Sequence, residues 1–290
     1  MSAKVSVGIP TYNRCDKLKK AVASVLEQDY PNIQLIVSDN NSSDETEEYC
    51  RALEKEHNNF VYLRQEDNHG AIQNFQAVFD ASDGEYFLWL GDDDRIDSNY
   101  ISLCIQELEA DPKLSLVYGR VKYYRNNQLS YEGKSFDLLQ RLNWLRIFIF
   151  YARVSENGMF FGLFRSEQLR GLPLRPRIGC DWFLLSAILT FGSARFIEGS
   201  FIHRDLGGAS ESFEEISKAL KISNSGPRFP FLDIAKEAYT SIHNDGPFQK
   251  NTSAIGRFIG SLVVFMIVLN KKIIMRFVLK FNSLSQSQHT

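Results

Sequence analysis

Cysteine is sparse in this 290-residue chain: Cys15, Cys50, Cys104 and Cys180 stand far apart, with no C-x-x-C pair and no Cys/His cluster at zinc spacing. That excludes a disulfide-stapled scaffold and a zinc-finger-type site, and leaves the thiols as small core residues of a reduced, cytosolic protein. The start, MSAKVSVGIP, enters a strand pattern without the apolar stretch of a secretory leader, which agrees with a cytosolic location. No G-x-G-x-x-G follows the first strand and no G-x-x-x-x-G-K-[ST] run exists, which argues against a dinucleotide oxidoreductase and excludes a P-loop NTPase. A Gly-rich, basic phosphate loop after the first strand, as a sugar-nucleotide pyrophosphorylase would carry, is also missing. Excess charge is lacking: 33 Lys/Arg against 35 Asp/Glu give −2, which argues against a general nucleic-acid binder. Internal repeats and low-complexity tracts are absent.

Acidic residues are missing after Asp245, while Lys250, Arg257, Lys271, Lys272, Arg276 and Lys280 follow. Between them lie two apolar runs, Phe258–Leu269 and Ile273–Leu279. The first is 12 residues long, short of the roughly 20 that a spanning helix needs. The expectation is a helix lying in the plane of an anionic membrane surface; the alternative is a helix packed on its own domain or on a second subunit.

What is present is a globular composition, 44% hydrophobic and 23% charged, enough for a large core. Val5, Val7 and Ile9 alternate as a strand that Pro10 should end, and Leu18, Ala21, Val22, Val25 and Leu26 follow helical spacing with Asn13 as a cap. The alternation continues: strands at Ile33–Ser38, Phe60–Arg64 and Glu85–Leu90, helices around Cys50, Phe75 and Cys104. Strand–helix alternation over about 110 residues predicts a mainly parallel sheet with helices on both faces and a ligand beyond the strands' carboxyl ends. Further on, strands are expected at Leu114–Tyr124, Met159–Phe164 and Ala194–His203, and helices at Phe136–Tyr151 and Asp181–Phe191. Gly207–Pro230 reads as a mobile loop with a short helix near Glu214–Leu220.

Three polar clusters stand at strand ends. They are Pro10-Thr11-Tyr12-Asn13-Arg14, Ser38-Asp39-Asn40-Asn41-Ser42-Ser43-Asp44 and Gly91-Asp92-Asp93-Asp94. Asn, Ser and Asp are common caps and turn formers, so either of the first two alone reads as a loop. Three adjacent carboxylates at the end of an apolar strand repel one another; a divalent cation would relieve this, with the helix dipole as the structural alternative.

VSVGIPTYNR, SVLEQDYPN, LIVSDNNSSDET and YFLWLGDDD, in this order and spacing, resemble glycosyltransferase family 2. The resemblance is strong from Val5 to about Tyr118 and weaker through Gly158–His203. It implies a GT-A fold at 1–210, with a nucleotide half to about 118 and an acceptor half to about 210, followed by a helical, basic and apolar region at 211–290. It implies an inverting transfer from a UDP- or dTDP-linked sugar to a saccharide or lipid-linked acceptor, as in polysaccharide or O-antigen assembly. Pro10, Thr11 and Tyr12 would line the base and ribose pocket, with Arg14 and Asn41 beside it, and Asp39 would meet the pyrimidine N3–H. Asp92 would face the ribose. Asp93 and Asp94, with His203, would hold Mn²⁺ or Mg²⁺, although Gly91 replaces the first acid of the family's D-x-D. Asp181, opening a helix, matches the catalytic base, and Arg204 a diphosphate clamp. The competing expectation is a non-catalytic scaffold on the membrane surface.

Overall fold

The computed structural model describes residues 2–172, 174–206, 213–222 and 228–286, with side chains as far as Lys271. The first half alternates as expected: β1 (Val5–Thr11), α1 (Cys15–Leu26), β2 (Ile33–Asp39), α2 (Thr46–Glu56), β3 (Phe60–Arg64), α3 (Ala71–Asp80) and β4 (Tyr86–Trp89). There follow β5 (Asp94–Ile96), α4 (Tyr100–Ala110), β6 (Leu114–Arg125), β7 (Gln128–Glu132) and α5 (Asn143–Arg153). The remainder is a 3₁₀ turn at Gly158–Phe161, β8 (Leu163–Arg165), α6 (Ser166–Leu169), α7 (Cys180–Phe191), β9 (Ser193–Asp205), α8 (Phe213–Ala219), α9 (Pro230–Asn244), α10 (Gly246–Asn251) and α11 (Ala254–Gln286).

One sheet runs in the order β3-β2-β1-β4-β8-β6-β9-β5, and β7 pairs with β6. β1 is parallel to both β2 and β4, and β2 to β3. Every residue of β1, β2 and β4 is buried, as helix-covered parallel strands require. Beyond β4 the sheet is mixed: β8 is antiparallel to β4 and β6, β9 is parallel to β6, and β5 is antiparallel to β9. The α/β expectation holds.

Several local expectations change. Pro10 does not end β1, which pairs with β2 as far as Thr11. Its pairing with β4 stops at Gly8, so the missing Pro10 N–H has no ladder to break on that side. The helix expected from Phe136 begins only at Asn143; before it, Leu138 bridges to Ala194. The strand expected at Met159–Phe164 opens as a 3₁₀ turn. Of the expected loop, residues 207–212 and 223–227 lie outside the described residues; the short helix is present as α8.

The two apolar runs of the tail join into one 33-residue helix, α11. Its segment Ala254–Lys271 is long and apolar enough, by length and composition, to cross a membrane, which corrects the estimate from the separate runs. One side packs on the protein: Val264 and Val268 are buried, His243 Nε2 meets Ser261 Oγ at 3.0 Å, and Trp144 of α5 lies over Gly260 so closely that a Cβ there would be 2.3 Å from its ring. The other side, with Ile255, Phe258, Ile259, Leu262 and Met266, is exposed. Lys271 is not a surface cation. It is 3% exposed, donates to the Tyr151 carbonyl at 2.7 Å, and lies over the Trp182 ring. Burial pulls its pKa down to about 8.

Candidate active site

The three polar clusters converge. Thr11 and Asp39 are direct partners across β1 and β2, and Leu90 N bonds Gly8 O, which carries the aspartates to the same sheet edge. Asn13 (φ 52°) and Asn41 (φ 66°) take left-handed conformations that Asn tolerates better than most residues. The first two loops clasp each other: Asn13 N donates to Ser42 Oγ at 2.8 Å and Ser43 N to Asn13 Oδ1 at 2.7 Å. Asn13 therefore joins loops and does not cap α1. Asp44 takes over that role from a distant loop, accepting from Cys15 N at 3.0 Å as well as from Thr46 N and Oγ1. Burial pushes Asp44 up, but the hydrogen bonds from Thr46 and Cys15 prevail and hold it below the ordinary carboxylate value.

Asp39 is wholly buried and already accepts three donors: Ser42 N, the Tyr62 hydroxyl and Arg64 Nη1, each at 2.8 Å. Arg64 also donates from Nη2 to Asn41 Oδ1 at 2.9 Å. Pro10 is buried, while Tyr12 is exposed. Next to this corner lies a polar cavity of about 270 Å³ lined by Asn40, Gln65, His69, Gln73, Asn74 and Asp80, among others. Asn74 donates to Thr11 O at 3.1 Å, and its buried Oδ1 finds no partner among the described residues. Arg64, Asn68, His69 and Asn74 escaped the sequence reading. The run Asn68-His69-Gly70 opening α3, with Asn74 one turn on, was the available signal.

The aspartates divide between Arg14 with Lys17 on one side and Arg204 on the other. Asp92 accepts from Thr11 Oγ1 at 2.9 Å and Arg14 Nη1 at 3.2 Å; the same Nη1 reaches Asp93 Oδ2 at 3.1 Å, and Lys17 Nζ stands 3.6 Å from that oxygen. Burial pushes Asp92 up to about 6, with Arg14 pulling it down and Asp93 adding to the rise. Asp94 turns inward, 1% exposed, and accepts from Arg204 Nε at 3.1 Å through Oδ1. Burial raises its pKa too, and Arg204 offsets part of that rise. Gly91 makes the inward turn feasible. A Cβ there would lie 2.6 Å from Asp94 Oδ2 and 3.3 Å from Asp93 Oδ1.

Two carboxylates are available to a divalent cation. Asp94 Oδ2 is buried and receives no well-formed hydrogen bond among the described residues, although it lies 3.1 Å from Arg204 Nε in an ion pair, and Asp93 Oδ1 stands near the same small space over Gly91. Among the described residues, no third His, Cys, Asp or Glu joins them as a ligand set. Both are hard oxygen donors, the kind that Mg²⁺ and Mn²⁺ take. His203 is not brought to them. Strand alternation sends it to the face opposite Arg204. There Nε2 meets Asp97 Oδ1 at 2.7 Å and Nδ1 the Tyr124 hydroxyl at 2.9 Å. Of two consecutive residues on β9 only one can face the aspartates, and it is Arg204.

Asp181 opens α7, behind Gly179 in a left-handed turn (φ 81°). Burial pushes its carboxyl up to about 6, against the pull of the Trp182 and Asp181 N–H groups and of Arg204. Arg204 thus carries influence on both sides, towards Asp94 and towards Asp181.

Residues 6–168 match the model of the family described as glycosyl transferase family 2, and the chain belongs to that family. It is 32% identical over 167 residues to the Campylobacter jejuni GalNAc(5)-diNAcBac-PP-undecaprenol beta-1,3-glucosyltransferase, covering 57% of this chain and 53% of that protein. The chain therefore spans about half the length of that relative. S. aureus TarS 1–349, solved with UDP-GlcNAc, superposes with a TM-score of 0.66 at 15% identity, over 92% of this chain and 72% of that one. The mannosyltransferase PcManGT from Pyrobaculum calidifontis, solved with GDP-Man and Mn²⁺, gives 0.53 at 15% identity, over 92% and 88%. These likenesses establish the GT-A fold.

Proposed function

We propose that the protein transfers a sugar from a UDP- or dTDP-linked donor to an acceptor hydroxyl, inverting the anomeric centre, in assembly of a cell-surface polysaccharide or O-antigen. The observation that carries this reading is the convergence of the three polar clusters at one sheet edge, where Thr11 donates to Asp92, Asn13 joins Ser42 and Arg204 donates to Asp94. The nucleotide sits at the edge formed by Pro10, Thr11 and Tyr12. Asp39 and Asn41, braced by Arg64, shape its base pocket, and Asp92 faces the ribose. Asp93 and Asp94 would hold Mn²⁺ or Mg²⁺, which would supply positive charge for the leaving diphosphate. Arg204 and Arg14 donate to the diphosphate oxygens, in the role that suits a guanidinium fork. Asp181 takes the proton of the attacking hydroxyl. A pKa of about 6 leaves it mostly ionised at neutral pH yet close enough to be an effective base.

The Campylobacter jejuni relative is named for an undecaprenol-linked substrate. A lipid-linked acceptor fits the outward apolar side of α11, and the protein attaches peripherally to the cytoplasmic side of the membrane through that side. A donor-hydrolysis screen over nucleotide sugars, with Mn²⁺, with Mg²⁺ and with chelator, tests the reading. Metal-dependent hydrolysis of a UDP or dTDP sugar is expected. Lack of hydrolysis and of nucleotide binding by calorimetry would overturn it.

A further inference from the structure

Directly opposed residues on neighbouring strands share a face of the sheet. Asp94 on β5 opposes Arg204 on β9, Arg204 opposes Tyr123 on β6, and Tyr123 opposes Tyr131 on β7. One row of side chains therefore crosses four strands, from the aspartate cluster to the outermost hairpin. Tyr131 stacks on Tyr123 with ring centroids 4.6 Å apart and an interplanar angle of 20°. Tyr123 is 7% exposed and Tyr131 48%, so the side of Tyr131 away from Tyr123 is open.

Glu156 lies against the base of the same hairpin, its Oε1 accepting from Lys134 N at 2.5 Å. Oε2 is buried, and the Tyr123 hydroxyl is close enough to interact with the carboxylate. The next residue, Asn157, accepts from Arg204 Nη1 at 2.7 Å. Burial raises the Tyr123 hydroxyl pKa, Arg204 offsets part of this and Glu156 adds to it, which places the three in one electrostatic neighbourhood.

An open aromatic ring in line with the aspartates and Arg204 matches what a pyranose presents, since the C–H face of a sugar covers an aromatic ring. We propose that Tyr131, backed by Tyr123, forms the platform for the acceptor's sugar ring, with the Glu156 carboxylate behind the pair at the base of the hairpin. The row explains why the acceptor and not the donor is held here. The nucleotide edge at Thr11 and Asp39 lies on β1 and β2, whereas Tyr131 stands beyond Arg204 on the side of β6 and β7.

This inference rests on the glycosyl-transfer reading, and the experiment separates the two. Saturation-transfer NMR is run on the full chain with UDP and diamagnetic Mg²⁺ and four probes: the methyl β-glycosides of glucose, galactose, mannose and N-acetylglucosamine. Ring protons of at least one probe receive saturation in the wild type. Tyr131→Ala lowers that signal about tenfold, equivalent to about 1.4 kcal/mol. Tyr131→Phe retains it, because the ring face remains. Nucleotide binding by calorimetry is unchanged in both variants. Equal ring saturation in wild type and Tyr131→Ala, or none in the wild type while nucleotide binds, overturns the subsite. Absence of nucleotide binding in the wild type overturns the parent reading instead.

Discussion

The two ends of the candidate site are built differently. At the nucleotide end, three carboxylates are well supplied with donors. Asp39 takes three donors, Asp44 three, and Asp92 a threonine and an arginine. At the acceptor end, Tyr131 is half open, and burial raises the Asp181 carboxyl to about 6. A nucleotide is a constant ligand, so its pocket is worth building rigidly before binding. A group that must meet a variable saccharide needs an open face, and Tyr131 has one; raised carboxyl pKa values are common to both ends, at Asp92 and Asp94 as at Asp181.

The largest effect expected from this contrast is at Asp181. Asp181→Asn keeps the helix start but cannot take a proton, so transfer falls about 10²–10⁴-fold while nucleotide binding stays within about twofold. Single-turnover kinetics beside calorimetry read both. Wild-type turnover would move the base elsewhere and blur the contrast between the two ends.

Asp39→Ala tests the nucleotide end. It removes the acceptor of Arg64 and Tyr62 and costs about 1.5–3 kcal/mol of fold stability, in addition to weakening nucleotide binding. A denaturant melt with an unchanged midpoint would reduce Asp39 to a loop residue. Gly91→Ala pushes a methyl group into the space beside Asp94 Oδ2. Overpacking costs about 1–3 kcal/mol, and metal-dependent nucleotide binding weakens with it. Unchanged Mn²⁺ dependence would show that Asp94 does not share in holding the cation.

The pH profile sharpens the comparison. Transfer should fall about tenfold per pH unit below about 6 as Asp181 is protonated. Stability moves the other way. Asp92, also raised to about 6 from an ordinary 3.8, binds its proton more tightly folded than unfolded, so its contribution is present below 3.8 and lost as pH climbs through about 6. Melts of wild type and Asp92→Asn between pH 5 and 7.5 check the sign: the slope should flatten in the variant. The smallest effect on chemistry is at the tail. Removing α11 would bare the surfaces that bury Val264 and Val268, so replacing Phe258, Leu262 and Met266 with Gln is the cleaner probe. Co-sedimentation with anionic vesicles should drop while nucleotide binding is kept; equal sedimentation would make this face a contact for something other than lipid.

Much of the first half was legible because both signals there are local. Strands buried on both faces read as apolar runs, and polar residues bunch where those strands end. The short strands β5 and β7 were not legible. Asp94–Ile96 looks like the continuation of an acidic turn, and every residue of β7 is exposed. The tail was half legible. Its basic, acid-free composition is evident from the residues, but the inward turn of Lys271 depends on Tyr151 and Trp182, more than 80 positions away.

The sequence by itself determined the α/β class, the family, and the three clusters that meet at one sheet edge, since alternation and strand ends are properties of consecutive residues. Tertiary structure alone decided between His203 and Arg204, because the face of β9 that meets Asp94 is set by its register with β5. It also decided that Asp44 caps a helix 29 positions away, and that Tyr131 lines up with the aspartates. Each of these depends on pairing between distant segments. Strand register is fixed by burial of the whole sheet, and a shift of one residue would exchange every partner named here.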